Sequence, residues 1–285
     1  MLRVVIFKER IRKKPIFARF MKMRLLFIVI TSLTVISCSK YSKVLKSVDY
    51  DYKLRMAEQY YAKEKYRQAQ TLYEELFPIF KGTPQFEDLY YKYAYCHYYT
   101  GDYMNAENLF KGFLEVFSNS PKAEEIEYMQ AYSFYRQSPR PELDQTNTIK
   151  AMGMMQVYIN THPGSARNKD AEEIIDKCLK KLEAKEYGAA QLYYNLGQYR
   201  ASALAYNTLI NNFPDSPKAD EYKLMIIKSY YKYAGNSIEE RQPERYEKVI
   251  TEVQDFQDRY PESKLLKEAE RYLTLSQNNI KELSK

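Results

Sequence analysis

The chain has no tryptophan, two histidines, three cysteines and only eight glycines in 285 residues. Each scarcity counts against a class of function. Without Trp, the flat platform on which sugars commonly stack is missing. His97 has no Cys or acidic partner at metal-ligand spacing, and His162 fills a slot that elsewhere holds Phe or Tyr and reads as a core or capping residue, so no metal site is expected. Eight glycines supply no Gly-rich phosphate loop. The acidic pairs Glu124-Glu125 and Glu172-Glu173 lie in amphipathic runs and read as solvated faces. No catalytic residue and no cofactor is expected, and the chain reads as a non-enzymatic protein. No apolar run reaches the roughly 20 residues needed to span a bilayer.

Charge points the same way once it is divided. The formal charge is +7, but residues 1–37 hold nine of the Lys and Arg and a single Glu, leaving 35 basic against 36 acidic residues. A neutral body gives no electrostatic footprint for nucleic acid. Leu25–Ser37 (LLFIVITSLTVIS) is a 13-residue apolar stretch preceded by Lys22 and Arg24, which is signal-peptide length. It runs into VISC, ending at Cys38. That ending resembles the lipobox of bacterial lipoproteins. The resemblance implies cleavage of a 1–37 signal peptide and attachment of acyl chains (diacylglycerol and palmitate) to Cys38. Two or three chains anchor firmly where one is marginal. Ser39 and the absence of an acidic cluster after it imply the outer membrane, with the body facing the periplasm and residues 38–48 as a lipidated tether. The remaining cysteines, Cys96 and Cys178, lie in helix-like runs. They read as small buried apolar side chains, with a disulfide as the alternative in an oxidising compartment.

What the chain has in quantity is tyrosine, 30 of them, and a recurring phrase. NNFPDSPKADEY (Asn211–Tyr222) nearly repeats VFSNSPKAEEIEY (Val116–Tyr128), and looser copies start at Pro78, Asn160 and Asp258. From origins at Tyr66, Tyr103, Thr148, Tyr199 and Tyr246, a small or β-branched residue lies three on (Ala69, Ala106, Ala151, Ser202, Val249). A large residue lies seven on (Tyr73, Phe110, Met155, Tyr206, Val253), and a ring fourteen on (Phe80, Phe117, His162, Phe213, Tyr260). These steps keep to one helix face. Seventeen on comes Thr83, Ser120, Ser165, Ser216 or Ser263, three of them followed by Pro. Ser or Thr suits an N-cap and Pro the first helical position. The phrase therefore ends one helix, turns, and starts the next.

The pattern resembles the tetratricopeptide repeat, with Gly101-Asp102-Tyr103 and Gly197-Gln198-Tyr199 at the turn and Ala57, Ala94 and Ala190 nine before the Tyr. The fold implied is all-α, a helical-repeat solenoid of about five helix pairs over residues 49–285. Ser138–Thr148 and Gly235–Glu244 read as inserted loops, and a long helix is expected between Lys169 and Tyr194. Such units bury a continuous core only by stacking. In the repeat family the first helices line a concave face. That resemblance assigns a peptide-binding face to Glu58 and Tyr61, to Tyr91, Tyr95 and Tyr98, to Tyr128, Tyr132 and Tyr135, and to Tyr187, Gln191 and Tyr194. Tyr offers rigid apolar area with a hydroxyl handle.

One stretch is more specific. Asp144–Pro217, and within it LEAKEYGAAQLYYNLGQYRAS, is similar to the BamD (ComL) family of outer-membrane assembly lipoproteins, as is the arrangement of lipobox, short tether and five helical repeats. The resemblance implies a part in β-barrel assembly and insertion of proteins into the outer membrane. N-terminal repeats would take segments of unfolded outer-membrane β-barrel proteins, and C-terminal repeats would dock on a BamA-like insertase. Glu247, Asp255 and Arg259 are exposed candidates on the last repeat. The alternatives are another periplasmic tetratricopeptide scaffold of the cell envelope and a glycan-binding lipoprotein resembling SusD. The missing Trp and the shorter chain count against the second.

Overall fold

The computed structural model describes residues 40–285; the signal segment and Cys38 lie outside them. Among the described residues there is helix and no strand. From Tyr50 onward eleven α-helices follow one another: α1 Tyr50–Ala62, α2 Tyr66–Phe80, α3 Phe86–Tyr99, α4 Tyr103–Val116, α5 Ala123–Gln137, α6 Thr146–Thr161, α7 Asn168–Asn195, α8 Tyr199–Asn212, α9 Ala219–Gly235, α10 Gln242–Arg259 and α11 Leu266–Leu283. A 3-10 turn, Glu239–Arg241, precedes α10. The expected array from residue 49 onward divides into two compact units, one ending at Ala106 and one beginning at Glu107, inside α4. In each unit, helices adjacent in sequence pack together, as in α1 on α2 and α9 on α10. This is the tetratricopeptide-like helical repeat.

The repeat positions explain why. All five residues three after an origin, and all five seven after, are completely buried, and so are Ala57, Ala94 and Ala190. A small side chain at the crossing lets the partner backbone approach, and the large one seven on fills the space beside it. Each fully buried large apolar side chain contributes roughly 1.5–3 kcal/mol. The rings fourteen on are less enclosed: Phe80 is buried, while Phe117, His162, Phe213 and Tyr260 are half-buried.

The connecting phrase does more than cap. At Ser120, Ser165, Ser216 and Ser263 the hydroxyl oxygen accepts the N–H two residues on, at 3.0–3.2 Å. The carbonyl accepts the N–H three on. The helix proper then starts three residues after the Ser, so the Ser caps a short 3-10 entry rather than the helix itself. Thr83 breaks the pattern by donating backwards to the Phe80 carbonyl at 2.7 Å. Three of the hydroxyls also tie repeats together. Ser165 donates to Glu124 at 2.6 Å, Ser263 to Asp220 at 2.6 Å, and Ser216 to Glu183.

Helix ends before the origins share another device. Gly101 and Gly197 take φ of 84° and 74°. The next residue's N–H reaches back five residues, Asp102 to the His97 carbonyl and Gln198 to Tyr193, both 2.9 Å. This satisfies carbonyls that the helix end leaves open. In the first repeat the same place is held by Glu64, at φ 57°.

The insertions are smaller than the sequence implies. Helix α6 already begins at Thr146 and α10 at Gln242. The remaining 138–145 loop is held by α7, through Lys181 to Ser138 Oγ at 2.6 Å and Lys185 to the Leu143 carbonyl at 2.7 Å. The segment expected to be a tether is also partly folded. Residues 40–45 are helical, Val44 is buried, and the Tyr41 ring meets Tyr60 edge-on at 5.4 Å.

Candidate functional site: two tyrosine faces

In the first unit, α1 carries Glu58 and Tyr61 one turn apart, both half-buried, and α3 carries Tyr91, Tyr95 and Tyr98. The rings form a chain. Tyr61 meets Tyr66 edge-on at 5.6 Å, and Tyr66 stacks on Tyr99 at 4.4 Å with 24° between planes. Tyr99 lies 5.7 Å from Tyr95, which touches Tyr91 at 4.7 Å and Tyr98 at 6.4 Å. Tyr98 meets Tyr103 at 5.4 Å. Tyr99 is 49% exposed, whereas Tyr95 is 4% exposed. Tyr95 is therefore the buried centre of the cluster, and Tyr99 is its exposed edge. Burial, and next the Tyr99 hydroxyl, push the Tyr61 phenol far above its ordinary range. The Tyr61 phenol therefore remains a neutral donor at any physiological pH.

Glu58 is occupied. It accepts the Tyr73 hydroxyl at 2.9 Å and pairs with Lys92, which also meets Asp88 at 2.6 Å. Burial alone would lower the Lys92 pKa; the two carboxylates more than offset it and raise it.

In the second unit, Tyr128, Tyr132 and Tyr135 run along α5. Tyr128 and Tyr132 stack at 5.8 Å and 13°, and Tyr135 follows at 5.7 Å. Tyr128 is buried at 7%. It lies under the Arg167 guanidinium at 5.1 Å, and its phenol is pushed up to about 12 by burial. Tyr128 thus belongs to the packing beneath the face. On α7, Tyr187 is 40% exposed and touches Tyr206 and Tyr222 at 6.0 and 5.7 Å. Gln191 accepts the Tyr206 hydroxyl at 2.8 Å, and Tyr194 meets Tyr199 at 5.4 Å. Leu192 and Tyr193 are exposed on the same helix, and Leu196 is exposed just past its end.

The ring chain also takes in Tyr66, Tyr99 and Tyr103, which the repeat resemblance does not assign to the peptide-binding face. The tyrosine pair Tyr98-Tyr99 just before a Gly-x-Tyr turn was the available signal. Asp255 is also not a free surface group: it meets Lys223 at 2.5 Å and Arg259 at 3.0 Å. Both histidines have structural partners. His97 is buried with Nδ1 2.9 Å from Asp102, and His162 lies on Tyr158 with Nε2 2.7 Å from Glu127. Cys96 and Cys178 are both buried and free. Among the described residues no His, Cys, Asp and Glu cluster could hold a metal, and no helix is long and apolar enough to cross a membrane.

Residues 51–240 match the YfiO family, described as an outer membrane lipoprotein. No curated protein matches the chain. Among solved structures it is similar to the TPR2AB-domain:pHSP90 complex of yeast Sti1, at 10% identity and a TM-score of 0.36, over 80% of this chain and 98% of that one.

Proposed function

Because the chain belongs to the YfiO outer membrane lipoprotein family, we propose that it serves β-barrel assembly as a non-enzymatic receptor, held to the outer membrane through acyl chains on Cys38. Its first repeats take extended segments of unfolded barrel proteins, and its last repeats dock on a BamA-like insertase. One observation supports this most directly, the tyrosine chain from Tyr61 through Tyr66, Tyr99 and Tyr95 to Tyr98. A strand of a barrel alternates apolar and polar side chains. Half-buried rings with neutral hydroxyls at their rims suit both kinds: apolar side chains pack on faces, and backbone groups meet hydroxyls. In the second unit, Tyr132 and Tyr135 on α5 and Tyr187, Gln191 and Tyr194 on α7 offer the same chemistry, with Tyr128 as support.

The test is a pull-down of the detergent-extracted lipoprotein from cell envelopes, with partners identified by mass spectrometry. Recovery of a large β-barrel protein with periplasmic repeat domains is expected. Recovery of only peptidoglycan or division proteins would sink the assembly reading. Direct binding of barrel-derived C-terminal peptides, set against oligosaccharides, separates it from a glycan receptor.

A further inference from the structure

Charge is unevenly spread over the second unit. An open groove of about 660 Å³ crosses α8, α9 and α10, walled by Arg200, Arg241, Arg245, Lys248, Tyr230 and Tyr233. In a body that balances 35 cations against 36 anions, four cations against two acids in the same lining, Glu244 and Glu247, leave a local positive excess. Two are positioned by rings. The Arg245 guanidinium lies 4.2 Å from the Tyr233 centroid, and the Lys248 ammonium 5.7 Å from that of Tyr230. Such contacts fix a cation without neutralising it. Arg245 also donates to Ser237 Oγ, a neutral acceptor. Lys248 shares its charge with Glu252 at 2.7 Å, and Arg241 with Glu244 at 3.3 Å. Arg200 is exposed and has no ion-pair partner among the described residues.

We propose that this groove binds an acidic, extended polypeptide segment of a partner protein. Its carboxylates would meet Arg200 and Arg245, and its apolar side chains would lie against Tyr230 and Tyr233. Guanidinium groups match carboxylates in a two-point geometry and stack on rings at the same time. A phosphate group fits less well. Glu244 and Glu247 line the same wall and would repel a compact dianion, whereas a polypeptide can turn N–H groups or a Lys toward them. The site stands on α8 to α10 alone, and it holds whether or not the tyrosine faces receive barrel segments.

The experiment is fluorescence anisotropy on the detergent-solubilised lipoprotein. The probe is a labelled peptide alternating Asp or Glu with Leu or Tyr, and a matched Lys/Arg peptide is the control. The acidic peptide should bind at least about tenfold tighter than the basic one and weaken as salt is added. Arg200→Glu and Arg245→Glu should each lower its affinity about tenfold. Arg200→Glu should leave the melting temperature unchanged, since that side chain is exposed, so a folding defect in the other variant leaves the question decidable. Equal binding of the basic peptide, or unchanged affinity in Arg200→Glu, overturns the proposal. Displacement by inorganic phosphate at low millimolar concentration would assign the groove to a small anion and overturn it as well.

Discussion

Tyr66 opens α2 and Tyr99 closes α3, and their rings stack 4.4 Å apart with 24° between planes. The contact joins the first two repeats of the first unit through a partly exposed pair. Tyr95, 5.7 Å from Tyr99, is buried beneath. The cluster therefore has a working rim and a structural centre.

That division predicts two phenotypes. Tyr99→Ala removes a ring that is half in water, so it should cost little stability, within about 1 kcal/mol, while weakening binding of a barrel-derived peptide. Tyr95→Ala empties a buried site and should cost about 3 kcal/mol. Circular dichroism melts paired with peptide titrations check both. Loss of fold in Tyr99→Ala would show that the rim is core. Full peptide affinity in a folded Tyr99→Ala variant would remove this cluster from the binding face.

A second prediction concerns Glu64. It occupies at φ 57° the helix-end position that Gly101 and Gly197 hold in later repeats. A left-handed residue with a Cβ is strained by roughly 1–2 kcal/mol, and Gly relieves this at some cost in unfolded-state entropy. Glu64→Gly should raise stability by about 0.5–1 kcal/mol, seen as a higher denaturant midpoint with unchanged slope. The reverse change, Gly101→Ala, should lower it by a comparable amount.

The paired-helix architecture, the long α7 and the buried positions three and seven after each origin were legible because packing at a helix crossing demands small and large residues at fixed spacing. Ala69 with Tyr73 and Ala151 with Met155 are readable without coordinates. The exact helix starts were not. The Ser-Pro phrase encodes a cap, but the 3-10 entry after Ser120 and Ser216 depends on φ/ψ that the phrase does not specify. Nor was the split of the tyrosines legible. Tyr91 and Tyr95 lie one helical turn apart on the same side, and only the neighbouring helices decide which is enclosed. Asp255 looked like a surface acid because its cation, Lys223, lies on another helix 32 residues earlier in the sequence.

That ionic network supplies a third prediction. Lys223 on α9 is buried and pairs with Glu252 and Asp255 of α10, while Lys248 also holds Glu252. Burial alone would raise the Glu252 pKa. The bonds from Lys223 and Lys248 overcome it and hold the carboxyl below its ordinary range, and Asp255 is lowered in the same way, against a smaller burial. Groups with a depressed folded pKa contribute stability above their unfolded value, lost as pH falls through the folded one. Stability should therefore be full at neutral pH and decline on acidification below about pH 4, near the unfolded carboxyl values. Lys223→Met should cost about 3 kcal/mol at pH 7 by leaving Glu252 under-compensated. Because the Glu252 pKa then rises, the same variant should lose less on going from neutral to acid. Urea titrations at several pH values read both effects. Parallel pH profiles in the two proteins would show that Lys223 does not set the Glu252 charge.

The thiols give the last prediction. Burial pushes the Cys96 thiol up to about 12 and raises that of Cys178, the latter against a small opposing pull from Lys181. Thiolate is the reactive form. At pH 8 a thiol titrating near 12 is ionised in about one molecule in ten thousand, against roughly a quarter for a free cysteine. Both sulfurs are also shielded from reagent by their helices. In the folded protein neither should react with a disulfide reagent such as DTNB over minutes, and both should react at once in guanidinium without reductant. Fast labelling of folded protein at Cys96 would mean that α3 opens readily, which would place the tyrosine rim on a mobile element. Failure to label in guanidinium until reductant is added would show a disulfide formed in the envelope.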